Sequence, residues 1–245
     1  MDAVVLAGGR DDPLARSHGV LSKAWIPVLG KPLLAWVLEA LKAGGVERVA
    51  VVGPAGQVTP EPDLWVKERG GMLENLEAGL EALSPDRVMV ATADVPLLTP
   101  EAVGYLLKNA PEAALVYPIV PREAVEDRWP GMRRTYARLK EGTFTGGNLV
   151  ILDPELFHRA LPTAKKLVAR RKNPLALAPL FGLGALFKLL LGRLSVAELE
   201  RIAQRAFGVP MRALVVPYPE IGADVDKPED LEFVARELEA RHAKG

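Results

Sequence analysis

Short apolar runs alternate with stretches of helical period along the first hundred or so residues of the chain. Residues 3–7 are continuously apolar and stop at Gly8-Gly9, which predicts a buried strand opening into a loop. From Pro32 to Leu41 the pattern is that of a helix that starts on a proline and is halted by Gly44-Gly45. Residues 48–52 read as a second strand and Leu64–Val66 as a short third. Met72–Leu83 sets Leu73, Leu76, Leu80 and Leu83 on one helical face. Residues 88–93 give a further buried strand that ends at Asp94, with a helix beginning near Thr99-Pro100-Glu101. Strands and helices in this alternation predict a parallel sheet flanked by helices.

Between residues 113 and 152 the pattern changes. Residues 114–120, 135–139 and Leu149–Leu152 read as strands, joined by turn-rich segments at Trp129-Pro130-Gly131 and Thr145-Gly146-Gly147-Asn148. These joints are too short for a helical crossover at every pair, so part of the sheet is expected to be antiparallel. Residues 153–208 read as helical, with breaks at Asn173-Pro174, Gly182-Leu183-Gly184 and Gly192. A last strand over 212–216 and a helix to about Ala240 close the chain. The expected fold is α/β, in three α/β/α layers with a mixed, mainly parallel sheet. It forms a single domain over 1–245 that carries a helical insertion at 153–208.

Composition narrows the chemistry. The chain has no cysteine and only three histidines, His18, His158 and His242, which removes disulfides, thiolate metal sites and a His-rich centre; any metal must sit on oxygen ligands. Thirty-one Lys+Arg balance 31 Asp+Glu, so bulk electrostatic coating of nucleic acid is not expected. The balance is uneven, because residues 155–212 hold eleven Lys/Arg against three Asp/Glu. That segment is either a set of solvated helix faces or an attractor for an anionic acceptor, with Arg170, Arg171 and Lys172 at its centre. The apolar stretch 175–194 contains Pro179, three glycines, Lys188 and Arg193, which speaks against a transmembrane helix. Burial against the sheet or a second subunit is the expected state, so a homodimer stays open, and contact with lipid is the alternative. No signal peptide is evident at the N-terminus, and a cytoplasmic protein is expected. Nineteen Arg and 21 Pro beside four Asn and two Gln suggest a thermophile.

Three constellations carry candidate chemistry. In Leu6-Ala7-Gly8-Gly9-Arg10, glycines at a strand end let backbone N–H groups approach phosphate oxygens, and Lys23 further along can supply charge. The loop is neither a P-loop nor a dinucleotide fingerprint. Asp94, in Ala93-Asp94-Val95-Pro96-Leu97, sits where open α/β sheets place ligands and needs a cation or donors if buried. Asp224 and Asp226 flank Val225, so in an extended segment both point to one side and can face one cation. Asp226 with Glu229 also has the spacing of a helix capping box.

With these pieces in this order, the sequence resembles the nucleotidyltransferases of glycosyltransferase-A-like fold (the nucleotide-diphospho-sugar-transferase type), especially the molybdenum-cofactor guanylyltransferase-like group, the MobA-like NTP transferases. The resemblance runs through residues 6–10, Lys23 with Gly30-Lys31-Pro32-Leu33-Leu34, Gly71 and its helix, Asp94-Val95-Pro96-Leu97, Gly146-Gly147-Asn148, and Asp226-Lys227-Pro228-Glu229-Asp230-Leu231. It covers about residues 1–152 and 210–240. It implies a nucleoside triphosphate bound along Leu6, Ala7, Gly8 and Gly9, with its phosphates held by the Gly8-Gly9 loop and Lys23, Arg10 as a further catalytic candidate, and its base near Gly71. It further implies Mg²⁺ on Asp94 and Asp226, with Asp224 beside them, and Asn148 as a substrate contact. The reaction would move a nucleotidyl group to a phosphorylated small-molecule acceptor and release pyrophosphate. Whether Arg10 or Arg16 meets phosphate, and which base is bound, stay open. A glycosyltransferase using a nucleotide sugar and a nucleotide-binding regulatory module without turnover are the alternatives.

Overall fold

The computed structural model describes residues 1–9, 12–170 and 182–243. It separates into two compact units, one formed by residues 1–109 with 220–245 and the other by residues 110–219.

In the first unit the order is β1 (Asp2–Leu6), α1 (Pro13–Ser17), β2 (Pro27–Val28), β3 (Lys31–Pro32), α2 (Leu33–Ala43), β4 (Val49–Val52), β5 (Leu64–Val66), α3 (Met72–Leu83), β6 (Val88–Thr92) and α4 (Pro100–Asn109). A terminal helix, Pro228–His242, returns to it. The strands pair β5-β4-β1-β6, all parallel. In β1, Ala3 lies opposite Val49 on one side and Met89 on the other, and Ala3, Val4 and Val5 have no exposed surface. Burial on both faces is why the strand reads as an unbroken apolar run instead of an alternation. Pro32 stands just before α2 as its N-cap, with φ −64°, so the helix starts one residue later than the sequence pattern predicts. Leu33, Leu34, Val37, Leu38 and Leu41 of α2 are fully buried, each stabilising the unit by about 1.5–3 kcal/mol.

The second unit runs β7 (Leu115–Pro121), α5 (Arg122–Arg128), β8 (Ala137–Leu139), β9 (Gly142–Gly146), β10 (Leu149–Leu152), α6 (Pro154–Arg170), α7 (Leu183–Leu190), α8 (Val196–Phe207) and β11 (Met211–Val215). β7 is the strand on which the others meet: β11 pairs with it in parallel, β10 and β9 antiparallel, and β8 continues on β9. The β5-β4-β1-β6 pairings are all parallel and β11 is parallel to β7, so the α/β class with a mixed, mainly parallel sheet and flanking helices is as expected. Thr145 and Gly146 are the end of strand β9 and not a turn. Phe144 of β9 is buried with Ile119, Leu139 and Leu194, and that packing holds a glycine-rich segment extended. Helices occupy residues 154–170, 183–190 and 196–207 as the pattern predicts, while the break at Asn173-Pro174 lies outside the described residues. Among the described residues no helix is long and apolar enough to cross a membrane.

α8 opens on a reciprocal cap in which Ser195 Oγ accepts from the Glu198 amide and the Glu198 carboxylate accepts from the Ser195 amide. Lys188 donates to the same carboxylate at 2.7 Å, and Lys140 lies 4.0 Å away. The Lys188 hydrogen bond first, then the Ser195 amide, pull the Glu198 carboxyl down to about 2 from its usual 4.5. A depressed carboxyl adds stability that is present above the unfolded value and is lost as pH falls through the folded one. Amide exchange at the start of α8 should therefore accelerate beyond its intrinsic pH trend between about pH 4.5 and 2, and Glu198→Gln should lack that step.

Candidate active site

Three parallel strands end together. Leu6 of β1 is in register with Val52 of β4 and Thr92 of β6, and this carboxyl edge is where open α/β sheets bind ligands. The Ala7 amide donates to Val52 O at 2.9 Å, and the Ala93 amide donates to Leu6 O at 3.1 Å. The chain leaving β4 passes so close to the bend that a Cβ on Gly53 would stand 2.7 Å from the Ala7 carbonyl carbon and 2.9 Å from the Gly8 nitrogen. Gly9 has φ +119°, a conformation that side chains rarely tolerate. Two polar side chains press on Gly8: a Cβ there would lie 2.8 Å from Glu68 Oε2 and 2.9 Å from Asn75 Nδ2. Asn75 is buried on α3, and its Oδ1 accepts from the Arg69 amide at 2.7 Å, which fixes Nδ2 toward the bend. Gly71 is the N-cap of α3.

The second feature is an ion cluster. Lys23 begins a short 3₁₀ turn, Lys23–Trp25, and its Nζ lies 2.7 Å from Asp94 Oδ2 and 2.8 Å from Asp226 Oδ1. The same ammonium donates to Val225 O at 2.9 Å, so all three of its hydrogens are engaged. Asp94 O accepts from the Val225 amide at 2.9 Å, which ties the turn after β6 to the segment before the terminal helix. Burial alone would lower the Lys23 pKa. The charge of Asp94, hydrogen bonds to Asp226 and Asp94, and the charge of Asp226 together outweigh it and hold the ammonium above the ordinary lysine range. Lys23 and Asp94 are both largely shielded from water, whereas Asp226 is 62% exposed.

The capping box expected from Asp226 and Glu229 forms one residue later. Asp230 Oδ2 accepts from the amides of both Asp226 and Lys227 at 2.9 Å. The Asp226 carboxylate is thus not the cap of the terminal helix and turns to Lys23 instead. Asp224 is half-buried.

The other expected residues divide. Leu6, Ala7, Gly8, Gly9 and Gly71 all lie in the first unit, with Lys23, Asp94 and Asp226. Arg10 lies outside the described residues, as do Arg171 and Lys172. Asp12 N-caps α1, accepting from the Leu14 and Ala15 amides, and Arg16 is exposed in the last turn of that helix. Asn148 belongs to the second unit, on the link from β9 to β10; its Nδ2 is shielded from solvent with no hydrogen-bond partner among the described residues. The hydroxyls of Ser22 and Thr92, close in sequence to Lys23 and Asp94, are in the same state.

Gly53, Asn75 and Glu68 are not among the residues expected from the sequence, nor is a cleft of about 540 Å³ bordered by Leu21, Gly53, Pro54, Trp65, Val66 and Glu68. Trp25 stacks on Trp65 with centroids 6.0 Å apart and donates to Pro54 O, which stiffens that wall. A signal for Asn75 did exist, since the small residues Ala78 and Gly79 follow it at helical spacing on a face pressed against the sheet.

Comparison with known proteins shows the family. The family model described as the MobA-like NTP transferase domain matches residues 3–205. The bifunctional protein GlmU of Acidithiobacillus ferrooxidans is 36% identical over 123 residues, which is 46% of this chain and 26% of that protein. The 2-C-methyl-D-erythritol 4-phosphate cytidylyltransferase of Cereibacter sphaeroides is 33% identical over 135 residues, 48% of this chain and 58% of that one. The chain therefore spans only about a quarter of GlmU. A Thermus thermophilus structure described as a hypothetical transferase superposes with a TM-score of 0.90 at 59% identity, covering 94% of this chain and 98% of that one.

Proposed function

The chain belongs to the MobA-like NTP transferase family of nucleotidyltransferases, and we propose that it moves a nucleoside monophosphate from a triphosphate to a phosphorylated small-molecule acceptor in the cytoplasm. The observation that carries this reading is the meeting of Asp94 and Asp226, 132 positions apart, around the Lys23 ammonium. That meeting lies in the same unit as the glycine bend. The name of the Cereibacter relative, which specifies a phosphorylated acceptor, supports the acceptor class. In this reading residues 1–245 act as one nucleotidyltransferase domain with 153–208 inserted, which fits a family match that runs on past residue 153 to residue 205.

The donor set fits a divalent cation. Two carboxylate oxygens already share one positive centre, and Mg²⁺ takes one or two carboxylates with phosphate and water oxygens completing its shell. Among the described residues no third acid joins them in a cluster, so phosphate oxygens and water would supply the remainder. Asp94 and Asp226 would hold the ion, with Asp224 close to them in sequence. When bound, it supplies neutralisation of charge on the triphosphate.

The residues of the chain do the rest. Backbone N–H groups at Gly8 and Gly9 face phosphate oxygens without a side chain in between. Lys23, exchanged from its carboxylates, turns its ammonium to the phosphates. The cleft beside the bend, walled by Trp65, takes the nucleoside, within the volume range of small-molecule sites. An acceptor phosphate oxygen attacks the α-phosphorus, the bond from that phosphorus to the β-bridging oxygen breaks, and pyrophosphate leaves with the electron pair. The nucleophile is already ionised at neutral pH, so no histidine or cysteine base is needed.

Pyrophosphate should appear when the chain is mixed with Mg²⁺, one of the four triphosphates and a panel of sugar and alcohol phosphates, in step with nucleotidylated product. Consumption of a nucleotide sugar without pyrophosphate would instead mark a glycosyltransferase. Triphosphate binding with no pyrophosphate under any acceptor would mark a regulatory module.

A further inference from the structure

The reaction proposed above assigns no role to α7 and α8, yet they carry a conspicuous surface. α7 leaves Phe187 64% and Leu190 84% exposed, and Leu191, its C-cap, 49%. Large apolar side chains gathered in water mark an interaction site more often than they do when scattered. Beside them a cleft of about 660 Å³ is lined by Gly184 and Lys188 of α7 and by Arg201, Ile202 and Arg205 of α8. Gly184, Phe187, Lys188 and Leu191 follow helical spacing, so exposed apolar groups share a face with the α7 wall of that cleft.

Charge identifies the occupant. The stretch from α7 through α8 carries Lys188, Arg193, Arg201 and Arg205 against Glu198 and Glu200, and both acids are already engaged. Glu198 holds Lys188 and the Ser195 amide, and Glu200 accepts from the Ala213 amide at 2.8 Å. Among the described residues, Arg201 and Arg205 donate through Nε to carbonyls of their own helix, contacts that neutralise no charge. A second copy meeting this face through a two-fold axis would set the same cations against themselves. An anionic bilayer offers both an apolar interior and negative phosphates.

We propose that α7 and the adjoining face of α8 dock on an anionic lipid surface, with Phe187, Leu190 and Leu191 at the acyl boundary and Arg201 and Arg205 at the lipid phosphates. Flotation tests this. The full chain should rise with vesicles of phosphatidylcholine and phosphatidylglycerol mixed about two to one at low salt, and stay below with phosphatidylcholine alone. The pair Phe187→Ser and Leu190→Ser should weaken partitioning about tenfold or more, with an unchanged circular dichroism spectrum and melting curve. Arg201→Gln and Arg205→Gln should each weaken it about fivefold. The proposal is overturned if anionic vesicles do not lift the chain, or if neither pair changes partitioning. Sedimentation showing a dimer that the Phe187/Leu190 pair dissociates would equally overturn it, by assigning the face to a second copy.

Discussion

Asp94→Asn should leave the chain folded and cut pyrophosphate formation about 10²- to 10³-fold. The amide is isosteric with the carboxylate, and Lys23 keeps Asp226 and Val225 O as partners, so the stability change should stay within about 1–2 kcal/mol. The effect on turnover is larger because the carboxylate charge that would hold the triphosphate's counter-ion is halved, and Asp94 is the more shielded of the two acids. A clasp that merely ties the turn after β6 to the terminal helix would lose activity only in proportion to stability. Melting curves and initial rates on the same preparation separate the two.

Gly53→Ala is expected to act on the other half of the site. The added methyl would meet the carbonyl carbon and oxygen of Ala7 and the nitrogen of Gly8, all within 2.9 Å. Those atoms belong to a backbone held by the Ala7 amide bond to Val52 O, so they cannot swing aside as a side chain could. Overpacking of this kind costs about 2–3 kcal/mol and should lower Tm by about 5–10 °C. Because the displaced atoms form the glycine bend, triphosphate affinity should fall about 10²-fold even well below the new Tm. Calorimetric titration with the preferred triphosphate checks this, and unchanged affinity would mean that the bend does not meet phosphate.

The parts of the fold legible in the sequence are those whose local pattern and burial agree. β1 and β4 are buried on both faces and read as apolar runs, and α3 places its leucines on one face over the observed span, Met72–Leu83. β9 was hidden because Thr145-Gly146-Gly147-Asn148 has turn chemistry, and only packing of Phe144 and pairing with β7 and β8 keep it extended. α5 was hidden because Val125 is its single buried residue, too little to make a helical stripe. At the site, the acid after a buried strand and the glycine bend could be read directly. The Asp226 side chain could not, since Asp226-Glu229 and Lys227-Asp230 have the same capping spacing and only the folded chain shows that Asp230 takes the cap. Lys23 was expected at phosphate, and its bonds to two distant carboxylates depend on tertiary contacts 71 to 203 positions away.

The charge cluster is tested most directly by following pyrophosphate release with and without Mg²⁺ in the wild-type chain and in Asp94→Asn. The expected result is release that requires the ion and collapses in the variant while Tm barely moves. Equal rates in the two proteins at saturating triphosphate would contradict it.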